Sequence, residues 1–262
     1  MLETAANPWA ERRRRALELR EVYPHAAEML DVLAALCDAQ ERAAEQARRA
    51  APRPGELPRF VCTQVLPGVI EATLAAGPER LREAVLERFH EADLETVVSD
   101  WLAGREQSAA ERYLARAATG PVLEAVPSLR SATGRPAADE RHCPDCGALP
   151  QLSYFAPSPE ALVTGPRQLV CSHCAAAWVY PRLCCAGCGS TTADRLPIFA
   201  DQERFATLRV DACDDCRRYL ITVEGSKDAS AVPLVDEIAA LPLDLYARER
   251  GLRKLTPNLM GI

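Results

Sequence analysis

The sequence predicts an α+β protein: a helical N-terminal half, then two tandem four-cysteine metal-binding units, then a C-terminal helix. Three observations lead there. Four Cys-x-x-Cys pairs fall in the C-terminal half as two copies of one spacing. Apolar residues recur at helical spacing through the first half. Short strand-like runs are interleaved with the cysteine pairs. At 262 residues, 48% hydrophobic and 26% charged, the composition is that of an ordinary globular protein with room for one large domain or two small ones.

Asn7-Pro8 provides an N-cap and a first-turn proline for a helix running to about Tyr23, where Pro24 stops it. A second helix, about His25 to Arg49, carries Met29, Leu30, Leu33, Leu36 and Cys37 on one face. Cys37 reads as a buried apolar residue and Cys62, with no partner at metal spacing, as structural. Ala51-Pro52-Arg53-Pro54-Gly55 is a loop. Shorter helices follow, with breaks expected near Pro67-Gly68, Gly77-Pro78, Gly104 and Gly120-Pro121. Leu81, Val85, Leu86 and Phe89 form one apolar stripe, and Leu94, Val97, Val98, Trp101 and Leu102 another. Both read as core, and His90 as an exposed or hydrogen-bonded helix residue.

Ser131 to Ala138 is the best linker. Beyond it, Cys143-Pro144-Asp145-Cys146 is followed after 24 residues by Cys171-Ser172-His173-Cys174. Cys185-Ala186-Gly187-Cys188 is followed after 24 residues by Cys213-Asp214-Asp215-Cys216, and the second set lies 42 residues beyond the first throughout. A Cys-x-x-Cys turn aims both sulfurs at one centre, and two such knuckles close a tetrahedral all-sulfur site suited to zinc or a single iron. Gly147 and Gly189 follow the leading knuckle of each copy, where the chain must turn tightly. Sequential pairing makes each copy self-sufficient, with Cys143, Cys146, Cys171 and Cys174 on one ion and Cys185, Cys188, Cys213 and Cys216 on the other. A cross-braced arrangement is the alternative. Disulfides fit less well, because eleven cysteines is an odd number and no secretory signal is evident. A thioredoxin-like motif needs a single Cys-x-x-Cys, not four in a duplicated array.

Strands are expected at Leu152 to Phe155, Gln168 to Val170, Ala177 to Tyr180, Phe205 to Val210 and Tyr219 to Val223. Metal binding supplies folding free energy to such small hairpins. A last amphipathic helix begins near Ser230 to Pro233 and ends before Gly251, with Leu234, Val235, Ile238 and Leu245 on its apolar face and Pro242 kinking it. The division expected is 1–135 helical, 136–183 and 184–227 for the two cysteine units, and 228–262 for the closing helix and tail.

The net charge of -6 argues against a nucleic-acid partner. From Arg141 to Lys227 nine basic residues balance nine acidic ones, and four thiolates on a divalent ion would add about -2 per site. No apolar run approaches the roughly 18 residues of a membrane span, so no membrane insertion is expected. The arginines from 12 to 15 are followed by Glu18, Arg20 and Glu21 rather than an apolar stretch, so they read as a solvated helix face and not a targeting signal. The compartment expected is the cytoplasm. There is no phosphate loop, dinucleotide fingerprint or nucleophile–base set, so no enzyme is predicted and no catalytic residue assigned. His142 and His173 lie beside or inside knuckles and read as exposed positions rather than metal-tuning donors.

Taken together, these motifs resemble the FdhE family, accessory proteins required for respiratory formate dehydrogenases. The resemblance rests on Cys143 to Pro150, on Cys171 to Cys174 followed by Trp178, on Cys185 to Gly189, and on Cys213 to Leu220. Asp236-Glu237-Ile238-Ala239, Leu243-Asp244-Leu245, Pro257-Asn258 and the early Gln40-Glu41-Arg42 are also similar. It implies that the two units are rubredoxin-like (zinc-ribbon-like), that iron is the metal, with zinc able to take its place, and that the chain is a maturation factor binding the formate dehydrogenase catalytic subunit. Cys184 departs from the pattern by adding a thiol beside the third knuckle. Two other functions compete: a rubredoxin-type electron-transfer protein and a zinc-ribbon nucleic-acid-binding regulator.

Overall fold

The computed structural model describes residues 7–157 and 165–262. It divides into two compact units, Met1–Leu129 and Arg130–Ile262.

The first unit is helical. Helix α1 (Pro8–Val22) starts where the Asn7 side chain accepts from the backbone N–H groups of Trp9 and Ala10. A 3₁₀ turn at Pro24–Ala26 leads into α2 (Ala27–Ala50), which packs against α1, α4 (Leu66–Ala76) and α7 (Ala109–Ala125). Its buried face includes Leu30, Leu33, Leu36 and Cys37. Burial pushes the Cys37 thiol up to about 12, as befits an inert core residue. Arg12 forks onto Glu124 at 2.8 and 2.7 Å, tying α1 to α7. The Thr73 and Tyr113 hydroxyls meet at 2.7 Å between α4 and α7.

Two expected breaks are absent. From α3 (Leu57–Phe60) the chain passes through a π turn (Val61–Val65) straight into α4, with Pro67 in its first turn. The widened turn sends the Leu66 N–H to the Val61 carbonyl, and proline costs nothing where no intrahelical donor is needed. Helix α7 likewise runs through Gly120-Pro121. Pro121 has no N–H for the Ala117 carbonyl. That carbonyl accepts instead from the buried Gln40 side chain at 3.0 Å. Helix α4 ends at Gly77-Pro78, ahead of α5 (Glu79–Glu91), and α6 (Leu94–Ala103) ends at Gly104, as the sequence suggests. The α6 stripe is core at Val97, Val98, Trp101 and Leu102. The α5 stripe is not: Val85 is buried, whereas Leu86 and Phe89 are exposed.

The second unit is built on one seven-stranded sheet. Its order is β3 (Ala177–Val179), β2 (Arg167–Cys171), β1 (Pro150–Phe155), β6 (Arg218–Glu224), β5 (Leu208–Cys213) and β4 (Ile198–Phe199), with β7 (Arg253–Lys254) pairing β6. Each cysteine repeat contributes antiparallel neighbours, and the two join through parallel pairing of β1 with β6, Leu152 opposite Ile221. The junction is desolvated: Leu152, Ser153, Ile221 and Thr222 are all fully buried, and the Ser153 and Thr222 hydroxyls bond at 2.6 Å.

The closing helix is two pieces, α8 (Pro233–Ala239) and α9 (Leu241–Glu249), with Pro242 opening the second. Its buried face differs from the expected one. Leu245 is exposed, and Asp236, Glu237 and Asp244 are buried beside Val235 and Ile238. Lys254 is the reason. Its ammonium lies 2.7 Å from Glu237 and 3.1 Å from Asp244. Tyr219 donates to Asp244 at 2.8 Å, and Gln151 donates to Glu237. Strands β1, β6 and β7 thus hold both helices through one dry ionic network, in which burial raises the Glu237 carboxyl above the ordinary range while Lys254 opposes the shift.

Candidate metal centres

Each leading knuckle is a tight loop closed by its own backbone. The Cys143 N–H donates to the Ala148 carbonyl at 2.8 Å and the Gly147 N–H to the Cys143 carbonyl at 2.9 Å. In the second copy the Cys185 N–H donates to Ser190 and the Gly189 N–H to Cys185, both at 2.8 Å. Gly147 and Gly189 take φ of +69° and +79°, which is why glycine stands there. The trailing knuckles make the same left-handed turn without glycine, at Ala175 (φ +56°) and Arg217 (φ +57°). These two positions are 42 residues apart, so the repeat extends to backbone that residue type alone did not reveal.

The turns bring eight sulfurs together in two sets. Cys143, Cys146, Cys171 and Cys174 form one, and Cys185, Cys188, Cys213 and Cys216 the other, with the sulfurs of each set all within 4.8 Å of one another. Sulfur pairs stand at 3.7 Å (Cys143–Cys174), 3.3 Å (Cys146–Cys171), 3.7 Å (Cys185–Cys216) and 3.7 Å (Cys188–Cys213). A disulfide would need about 2.05 Å. A tetrahedron with metal–sulfur bonds of about 2.3 Å has sulfur–sulfur edges of about 3.8 Å. The sets therefore fit one thiophilic ion each. The grouping is sequential: each set draws on one copy of the repeat.

The surroundings point the same way. Backbone N–H groups of His173 and Gly187 approach the sulfurs of Cys171 and Cys185 at 3.3 Å, the inward-facing amides of a metal-binding knuckle. Within the first set, hydrogen bonds from Cys146 and the other sulfurs hold the Cys143 thiol far below its usual range, while contacts with Cys143 and Cys146 push Cys174 far above it. Four thiols packed this closely cannot all ionise without a cation among them.

Neighbouring residues fall as follows. Cys184 is outside the second set, its sulfur 3.1 Å from the Tyr180 hydroxyl and 3.5 Å from the Gly189 carbonyl oxygen. His173, read from sequence as exposed, is buried, with Nδ1 3.2 Å from the Arg135 guanidinium. That donor makes Nδ1 the acceptor and leaves the ring proton on Nε2. His142 is half-buried and pairs with Asp139 at 2.8 Å. Sequence reasoning missed the Glu237–Lys254–Asp244 network. The signal was present as the isolated Lys254 in a chain whose other basic residues, Lys227 apart, are arginines.

Residues 183–260 match the family model described as FdhE, C-terminal domain. That match covers the second cysteine set, α8, α9 and β7. Over those residues the chain is similar to the C-terminal domain of FdhE. The Protein FdhE homolog of Aquifex aeolicus is 34% identical over 122 residues, 47% of this chain and 42% of that one. The Protein FdhE homolog of Pseudomonas putida is 34% identical over 129 residues, 48% of this chain and 40% of that one. The matches thus span less than half the length of these curated relatives. The crystal structure of the FdhE protein from Pseudomonas aeruginosa shares the fold, with a TM-score of 0.69 at 24% identity over 98% of this chain and 96% of that one. The FdhE fold therefore includes the helical unit as well as the sheet. Among the described residues no helix is long and apolar enough to cross a membrane.

Proposed function

We propose that this chain is a non-catalytic, cytoplasmic accessory protein for maturation of a respiratory formate dehydrogenase, and that it binds the catalytic subunit of that enzyme. Cys143, Cys146, Cys171 and Cys174 hold one metal ion, and Cys185, Cys188, Cys213 and Cys216 a second, with iron the expected metal and zinc able to replace it. One observation carries the reading: two four-sulfur sets of metal-binding dimensions on a single sheet, in a chain whose residues 183–260, with the second set, match the C-terminal domain of FdhE. The metals hold the knuckle loops in shape, because the strands they join are short and the metal contributes folding free energy directly.

The test has two parts. Protein made anaerobically with iron or zinc supplied should contain two ions per chain by elemental analysis, and Cys184→Ser should keep both where Cys185→Ser loses one. The native protein, captured from its host, should bring the formate dehydrogenase catalytic subunit with it. One ion or none, or capture without that subunit, counts against the proposal. A second reading, rubredoxin-type electron transfer, draws support from the exposure of Cys188. It expects the metal's redox state, not its presence, to matter.

A further inference from the structure

The two cysteine sets have the same spacing and the same local turns, yet they differ in cover. In the first, Cys143, Cys146 and Cys174 are 0% exposed and Cys171 1%. In the second, Cys185 and Cys213 are buried, Cys216 is half-buried and Cys188 is exposed. The difference falls on matched positions: Cys146 against Cys188, and Cys174 against Cys216.

The cause is the chain that precedes each copy. The segment leading into the first set lies over it. Thr133 donates to the Cys146 carbonyl at 2.9 Å, Arg130 pairs with Asp145 at 2.5 Å, and Arg135 reaches His173 at 3.2 Å. A Cβ built on Gly147 would overlap the Arg135 carbonyl oxygen. The segment leading into the second set is β2, β3 and the turn after them, and it is committed to the sheet. A Cβ on Gly189 would meet only the Arg141 side chain, at 3.9 Å.

We infer that the second centre is the exchangeable one, the place where incoming chelators, thiols and electrophiles reach the protein's metal-bound sulfur through Cys188 and Cys216, while the first centre is a closed scaffold. The physical ground is access. A ligand-exchange step needs an incoming donor within bonding distance of the metal, and thiolate reactivity follows exposure as well as ionisation. At the first set every sulfur is shut off by protein, so exchange there waits on local unfolding. At the second, one ligand residue, Cys188, is already exposed.

This inference rests on the two-centre reading above, and the experiment separates the two. The full chain, loaded with two zinc ions, is mixed with excess pyridylazoresorcinol, and zinc release is followed by absorbance. A parallel sample is treated at pH 8 with iodoacetamide, in which a sulfur displaces iodide and forms a thioether, and each cysteine is read by mass spectrometry at early times. The Cys37 and Cys62 thiols, raised by burial to about 12 and about 11, stay protonated and do not compete. The expected result is two phases of one ion each, the fast one at least about tenfold quicker, with Cys188 and then Cys216 labelled before any of the first four. Cys188→Ser should remove the fast phase and keep the slow one, and the wild-type labelling order stands even where that variant folds poorly. Two ions leaving at one rate, or early labelling at Cys143, Cys146, Cys171 or Cys174, would overturn this inference alone. Uptake of fewer than two ions would overturn the two-centre reading and this inference with it.

Discussion

Gln40 decides whether a proline breaks a helix. Pro121 withholds the N–H that the Ala117 carbonyl would accept, and a buried carbonyl without a partner is costly. Gln40, 77 residues earlier, supplies the donor, and α7 continues. No local rule can find this, because the compensating group sits on another helix. Gln40→Leu should therefore cost about 1–3 kcal/mol of stability in denaturant unfolding, beyond an ordinary core polar-to-apolar change. A variant as stable as the parent would show that α7 tolerates Pro121 unaided. The knuckle glycines make a second residue-scale case. Both have positive φ, so Ala at either should cost about 1 kcal/mol for the backbone alone. Gly147→Ala adds the clash with the Arg135 carbonyl and Gly189→Ala does not. Thermal unfolding of the metal-loaded protein should place G147A clearly below G189A. The sequence made these two positions look alike, since the 42-residue repeat carries the turn but not what packs over it.

At the scale of elements, five of the seven strands and the cysteine grouping were legible because their signals are local: alternation, flanking turns and knuckle spacing. The two-residue strands β4 and β7 are too short to carry such a signal, and β5 starts at Leu208 rather than Phe205. The joining of the two repeats into one sheet was not legible. Parallel pairing of β1 with β6 brings together strands about 70 residues apart, with no hairpin to announce it. The same limit hid the closing network. Periodicity assigned Leu245 inward, whereas α9 turns Asp244 in and Leu245 out, because Lys254 and Tyr219 give that carboxylate partners in the sheet. Helical spacing ranks apolar residues and cannot foresee a buried charge that has found its counter-charge. Lys254→Met tests the network. It leaves Glu237 and Asp244 buried without their cation, so the loss should be about 3–5 kcal/mol, visible as a large drop in melting temperature. Since burial already raises Glu237, the surviving carboxyl should take up a proton more readily in the folded state. The defect should then shrink as pH falls toward the carboxylate range and grow as pH rises. A defect independent of pH would mean that Lys254 acts through its aliphatic stem.

At the scale of the whole molecule, the question is whether the metals shape the protein or carry its chemistry. Iron and zinc separate these roles, because both close a tetrahedral four-thiolate site and only iron changes oxidation state. If the metals are structural, zinc-loaded and iron-loaded chains should capture the formate dehydrogenase catalytic subunit equally, and both should restore enzyme maturation in a host lacking its own copy. Cysteine variants that lose one ion should then fail at capture itself, through unfolding of the knuckles, and circular dichroism should register the loss. The electron-transfer reading expects the effects to part company: zinc-loaded protein folds and captures its client, yet maturation stops. A further comparison locates the responsible centre. Because the first set is enclosed and the second exposes Cys188, a redox role would belong to the second, and Cys188→Ser should stop maturation while leaving the first ion, the fold and capture in place. Restoration by the zinc form, with Cys188→Ser failing only where capture fails, is the outcome expected of an accessory protein held in shape by its metals. Zinc-loaded protein that captures the subunit and restores nothing would end the structural account and make electron transfer the function.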